Sequence, residues 1–190
     1  MTAIILERVV IERGPLRLEG DLRLGPGLHA VTGRVGSGKS TLALALAGGI
    51  RPAAGTVRLE GIGRRLWVGH DPVVHLTGGT VAAEVASWRV EPDSLLSSLG
   101  LADRARDDPF HLSLGMQKRL VLGCALAARA DLLVLDEPFA SLDLPARARL
   151  ERALTARDGT TVVMTHADRH LPPGTTRWRI EGGRVRPEGP

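Results

Sequence analysis

The run Gly33-Arg34-Val35-Gly36-Ser37-Gly38-Lys39-Ser40-Thr41 fits the spacing G-x-x-x-x-G-K-[ST]. Glycines at 33, 36 and 38 let a backbone wrap closely and aim its N–H groups at an anion. Lys39 has the reach for terminal phosphates, and the Ser40 hydroxyl can ligate Mg²⁺. A second cluster is Asp136-Glu137, at the end of the apolar run Leu132–Leu135. Adjacent residues point in different directions, so the two carboxylates can do different work. Asp136 can hold Mg²⁺ through water, and Glu137 can orient and deprotonate an attacking water.

These residues need elements to hold them. Leu28–Thr32 reads as a short buried strand, and Thr41–Ala47 as a helix whose positive end faces the loop. Strand, loop and helix coincide as a phosphate site requires. Asp131–Asp136 and Thr160–Met164 read as continuous buried strands of a parallel sheet. Before the loop, residues 2–12 and 15–24 alternate apolar and polar around Gly14-Pro15, which predicts an antiparallel pair. Short strands follow at 55–61 and 65–69. Strand patterns then vanish; Thr80–Glu84 reads as an N-capped helix start and Pro92–Leu99 as a second short helix. Ser113 caps a helix to about Arg129, and Pro145–Arg157 forms another. Residues 176–180 and 184–186 suggest a terminal hairpin across Gly182-Gly183. The expected fold class is α/β, with a mainly parallel sheet and an N-terminal antiparallel β part. Residues 1–69 and 112–190 would form the α/β core, and 70–111 a small inserted helical subdomain.

Composition narrows the classes. The chain has 190 residues, 43% hydrophobic and 24% charged, as for an ordinary globular domain. No apolar run approaches about 18 residues, the length of a membrane-spanning helix, and the N-terminus lacks a secretory layout. A cytoplasmic location is the expectation. The single cysteine, Cys124, lies in an apolar stretch and reads as core. The net charge of +4 raises nucleic acid as a partner, but the arginines are scattered and aromatics are only 3%, too few for a stacking platform. No nucleic acid is expected. Only Lys39 and Lys118 are lysines; that one falls in the phosphate loop of an arginine-rich chain fits a site wanting a compact ammonium.

In combination these motifs resemble an ABC-type ATPase, the nucleotide-binding subunit of ABC transporters. Leu112-Ser113-Leu114-Gly115-Met116 stands where that family has its LSGGQ signature. Ser141-Leu142-Asp143 matches the D-loop, and His166 the switch histidine. The resemblance implies a P-loop NTPase core with ATP and Mg²⁺ as ligands, and hydrolysis involving Lys39, Glu137 and His166. It also implies a head-to-tail dimer with a second ABC ATPase subunit, in which Ser113, Gly115 and Asp143 meet the partner's nucleotide. Permease subunits in the membrane would hold the chain peripherally on its inner face.

The sequence departs from the family at four points. Leu114 and Met116 replace a glycine and a glutamine of the signature. His70 stands where the family has the Q-loop glutamine, and its imidazole can reach Mg²⁺ or the water. Arg13 stands where an aromatic residue stacks on adenine, a task a guanidinium can also perform. The helical segment is short. His70-Asp71-Pro72 followed by Thr80–Ala86 is similar to energy-coupling-factor importer ATPases for metals and vitamins. Val68-Gly69-His70 is similar to haem-exporter ATPases. A weakly active partner in a heterodimer and a non-transport ABC ATPase are the other open readings.

Overall fold

The computed structural model describes residues 2–167 and 171–188. The order of elements is β1 (Ala3–Arg13), β2 (Leu16–Leu24), β3 (Gly27–Thr32), α1 (Lys39–Ala47), β4 (Ala54–Glu60), β5 (Arg65–Val68), α2 (Val81–Ser87), α3 (Pro92–Leu99), α4 (Leu114–Ala127), β6 (Leu132–Asp136), α5 (Leu144–Thr155), β7 (Thr160–Thr165), β8 (Thr176–Glu181) and β9 (Arg184–Pro187). Short 3-10 turns occur at Pro72–His75, Ala102–Arg104 and Pro109–His111. The strands form one sheet in the order β4-β1-β2-β9-β8-β3-β7-β6-β5.

The class is α/β, as expected, but the antiparallel part is not separate. The terminal hairpin joins it to the rest. β9 runs antiparallel to β8 and parallel to β2, while β8 runs parallel to β3. At the β2–β9 seam the strands approach so closely that a Cβ on Gly20 would lie 2.9 Å from the Val185 carbonyl oxygen. Nor does the alternation of β1 run unbroken. Its register shifts between Leu6 and Val9, where Arg8 sits at φ 48° and its N–H donates to Asp21 Oδ1 at 2.6 Å.

The buried strands β6 and β7 divide two cores by their two-residue period. Leu132, Val134, Val162 and Met164 face α1 residues Leu42 and Leu46 and the β1–β2 pair. Leu133, Leu135 and Val163 face the opposite side, where α4 supplies Leu120, Val121 and Cys124 and α5 supplies Leu150 and Leu154. Burial pushes the Cys124 thiol up to about 12, consistent with its core reading.

Between β5 and α4 the chain is helices and turns, fixed by one buried carboxylate. Thr80 caps α2 as expected, its hydroxyl accepting from the Ala83 N–H. Glu84 follows in the first turn of α2. It is fully buried, with Oε2 accepting from the N–H groups of Thr77 and Gly78, both at 2.7 Å. Its Oε1 accepts from Trp88 Nε1 at 2.7 Å. Truncation to alanine strands three donors and opens a void. Glu84→Ala is expected to lower unfolding free energy by about 3 kcal/mol, measured by urea denaturation; a loss under about 1 kcal/mol would contradict that account.

Candidate nucleotide site

The parallel strands β3, β5, β6 and β7 end on one side of the sheet, and the candidate residues follow from those ends. The loop 33–38 joins β3 to α1. Gly36 and Gly38 adopt φ 79° and 103°, and Gly38 caps α1 with no side chain across its N–H groups. The helix begins at Lys39, two residues earlier than the sequence suggested, so Lys39, Ser40 and Thr41 all lie in its first turn. Close approach also requires glycine here. A Cβ on Gly38 would lie 2.8 Å from Leu18 Cδ1, and one on Gly33 would lie 2.6 Å from Ser37 Oγ. That Ser37 hydroxyl is buried and has no hydrogen-bond partner. Lys39 is 7% exposed, and its Nζ donates to the carbonyls of Gly33 at 2.9 Å and Arg34 at 3.0 Å.

The register of β6 on β7 sets the second half. Asp136 pairs with Met164, and the Glu137 N–H donates to the Met164 carbonyl at 2.9 Å. The residue after each strand is therefore brought to its neighbour's end. Glu137 Oε1 lies 2.8 Å from His166 Nδ1, and Oε2 accepts from Thr165 Oγ1 at 3.3 Å. Asp136 stays buried beside them. β5 pairs with β6, Val68 opposite Leu135, which carries His70 to the same end. A cavity of about 660 Å³ is lined by Val35, Gly36, Lys39, Ser40, His70, Asp136, Glu137, Ser141 and His166, among others. Arg34 lines an adjoining cavity on the loop's other side, with Gly33, Ser37 and His166.

Six sequence candidates line neither cavity within this one chain. Gly38 is the cap of α1 and Thr41 is buried. Arg13 is exposed at the end of β1, opposite Leu16, whose side chain packs against Gly38. Ser113 caps α4, its hydroxyl accepting from the Met116 N–H at a long 3.4 Å, and Gly115 is half-buried with open space where a Cβ would stand. Asp143 also lies outside; its Oδ1 accepts from the Ala146 N–H at 2.8 Å and so caps α5. Between Ser113 and Gly115, Leu114 reaches the cavity and is 56% exposed.

Among the lining residues, Lys118 and Ala140 carried no role in the sequence reading, and Ser141 entered it only within the D-loop match. Lys118 is buried, and its Nζ donates to the carbonyls of Glu137 at 2.9 Å and Ala140 at 2.7 Å. Burial holds its amine below the ordinary lysine range, against the pull of the Glu137 and Asp136 carboxylates. The scarcity of lysine was the available signal. Behind the His70 segment, His75 Nε2 accepts from the Gly69 N–H at 2.8 Å, and its ring meets Trp67 edge-on at 5.3 Å. Burial lowers the His75 pKa, opposed by Asp71 and Glu84.

Together the sheet, the glycine loop and the paired carboxylates define a P-loop NTPase fold of the α/β class. The ABC transporter family model matches residues 21–140. The chain is 37% identical over 171 residues to the ABC transporter ATP-binding protein RamB of Streptomyces coelicolor, covering 77% of this chain and 28% of that protein. It is 36% identical over 162 residues to the aliphatic sulfonates import ATP-binding protein SsuB 1 of Agrobacterium fabrum, covering 77% of this chain and 57% of that one. A solved ATP-binding subunit of an ABC transporter superposes with a TM-score of 0.82 at 20% identity, covering 98% of this chain and 89% of that one, a likeness of fold alone. The chain belongs to the ABC transporter family. It spans less than two thirds of the length of each of these two sequence relatives. No helix among the described residues is long and apolar enough to cross a membrane.

Proposed function

We propose that the chain binds and hydrolyses ATP as the nucleotide-binding subunit of an ABC transporter, paired head-to-tail with a second such subunit and docked on permease subunits at the inner membrane face. The observation that carries this is the Glu137–His166 pair, held at 2.8 Å in the same cavity as Lys39, Ser40 and Asp136. A carboxylate fixed by an imidazole and a hydroxyl is a positioned general base.

In this reading Lys39 exchanges the Gly33 and Arg34 carbonyls for phosphate oxygens. The open N–H groups at the start of α1 meet the same anion. The Ser37 hydroxyl, buried without a partner, is a further donor that suits an anion. Glu137 takes a proton from the attacking water, and His166 holds Glu137 while facing the cavity. Ser40 and Asp136 would hold Mg²⁺ as hard oxygen donors, with His70 as a softer neighbour. Among the described residues there is no cluster of three His, Cys, Asp or Glu side chains suited to a metal. Bound there with the nucleotide, the ion would offset the charge of the phosphates. Ser113, Gly115 and Asp143 would serve the partner's nucleotide, and Arg13 would lie over the base. Residues 70–111 would act as the subdomain that meets the permease. Import of a metal or vitamin is the finer part of the proposal, supported by the His70-Asp71-Pro72 run.

The test is steady-state ATPase activity of the purified chain against its concentration. A total ATPase rate rising with the square of concentration is expected of a homodimer. Leu114→Gly, which clears the exposed leucine from the signature, is expected to raise turnover roughly three- to tenfold, about 1 kcal/mol of barrier. A second reading, the weakly active member of a heterodimer, is favoured by Leu114 itself. It predicts ATP binding without turnover until a second ABC subunit is added. Absence of ATP binding would overturn both.

A further inference from the structure

Lys118 is a buried amine that the steps above do not use. It lies in the second turn of α4, the helix that Ser113 starts. Its two acceptors are the carbonyl that follows the Glu137 side chain and the carbonyl that precedes Ser141. Both flanking residues are strained. Glu137 has φ 49° and Ser141 has φ 61°, in the left-handed region that side chains disfavour. The Ala140 N–H also donates to the Glu137 carbonyl at 3.2 Å, closing a turn across 137–140. A neutral turn bond of that length is weak beside two shorter bonds from an ammonium. The backbone at Glu137 decides where its carboxylate points, and that carboxylate is the group bound to His166.

We infer that Lys118 is a positioning residue that holds the Glu137–Ser141 turn in its strained form. It thereby aims the Glu137 carboxylate and ties it mechanically to the signature helix α4. The inference rests on the proposed role of Glu137. A shift of α4 on meeting a partner's nucleotide would move both carbonyls together, so engagement at Ser113 and Gly115 would be felt at the base.

The test separates this role from general stability and from the proposed activity. Lys118→Met keeps length and apolar volume but removes the donors. Lys118→Gln, a shorter neutral donor, supplies the same comparison should the methionine variant not fold. In chain carrying ¹³C-labelled histidine, the His166 ring resonance is assigned with His166→Ala. It is expected to move in Lys118→Met in the direction that Glu137→Gln moves it, with no nucleotide present. Turnover is expected to fall on the order of 10–100-fold, as for a misplaced reacting group, while ATP affinity by fluorescent-nucleotide titration stays within about twofold. An unchanged His166 resonance in the folded variants would overturn the inference even if the chain had no ATPase activity. So would loss of turnover and ATP affinity in equal proportion.

Discussion

Glu137→Gln is expected to lower ATP hydrolysis by about 10²–10⁴-fold, the usual contribution of a general base, while ATP still binds. The substitution is nearly isosteric, and an amide oxygen can still meet His166 Nδ1 or Thr165 Oγ1 at the carboxylate's distances of 2.8 and 3.3 Å. The Glu137 N–H bond to Met164 and the Lys118 bond to the Glu137 carbonyl belong to the backbone and persist. What disappears is the basicity. Hydrolysis blocked after binding leaves the nucleotide in place, so an ATP-dependent dimer is expected to accumulate. Single-turnover assays with labelled ATP, beside size-exclusion chromatography with and without ATP, check both halves. Wild-type turnover in the variant would remove Glu137 from the proposed role and leave His166 as the group to examine.

Much of this geometry was legible because it is local. The spacing of Gly33, Gly36, Gly38 and Lys39 describes a loop whose conformation depends on its own glycines and the helix it opens. The run Leu132–Leu135 is apolar on both faces and reads as an inner strand. What the sequence hid is long-range. Strand propensity shows that 176–187 can form a hairpin, but not that it slots between β2 and β3, because that pairing depends on Gly20 meeting Val185 far along the chain. Helix periodicity puts Lys118 on a buried face without saying which carbonyls wait there. Acidic residues near turns have three uses here that composition cannot separate. Asp143 caps its own helix, Glu84 gathers donors from a loop, and Glu137 faces the cavity. Ser113 and Gly115 line neither cavity, while Leu114 between them reaches the first, a difference that the motif spacing alone does not show.

Lys39→Ala is expected to weaken ATP binding by about 10²-fold or more, since two charge-assisted bonds of about 1.5–3 kcal/mol each are lost at the phosphates. The side chain is nine-tenths buried yet bound only to the loop's own carbonyls, Gly33 and Arg34. Those acceptors are replaceable by phosphate oxygens. The fold should change little, because the loop keeps the Ser37 N–H bond to Arg34 and the packing of Gly38 on Leu18. Thermal unfolding should therefore shift by an amount near 1 kcal/mol or less, while titration of a fluorescent ATP analogue shows the large loss. Lys39→Arg sharpens the test. It keeps the charge, but a planar guanidinium needs more room than a loop that admits no Cβ at Gly33 or Gly38. It is expected to restore less than a tenth of the lost affinity. Full recovery by arginine would show that charge alone matters, and that the tight wrap of the glycines around a compact ammonium is not what selects lysine there.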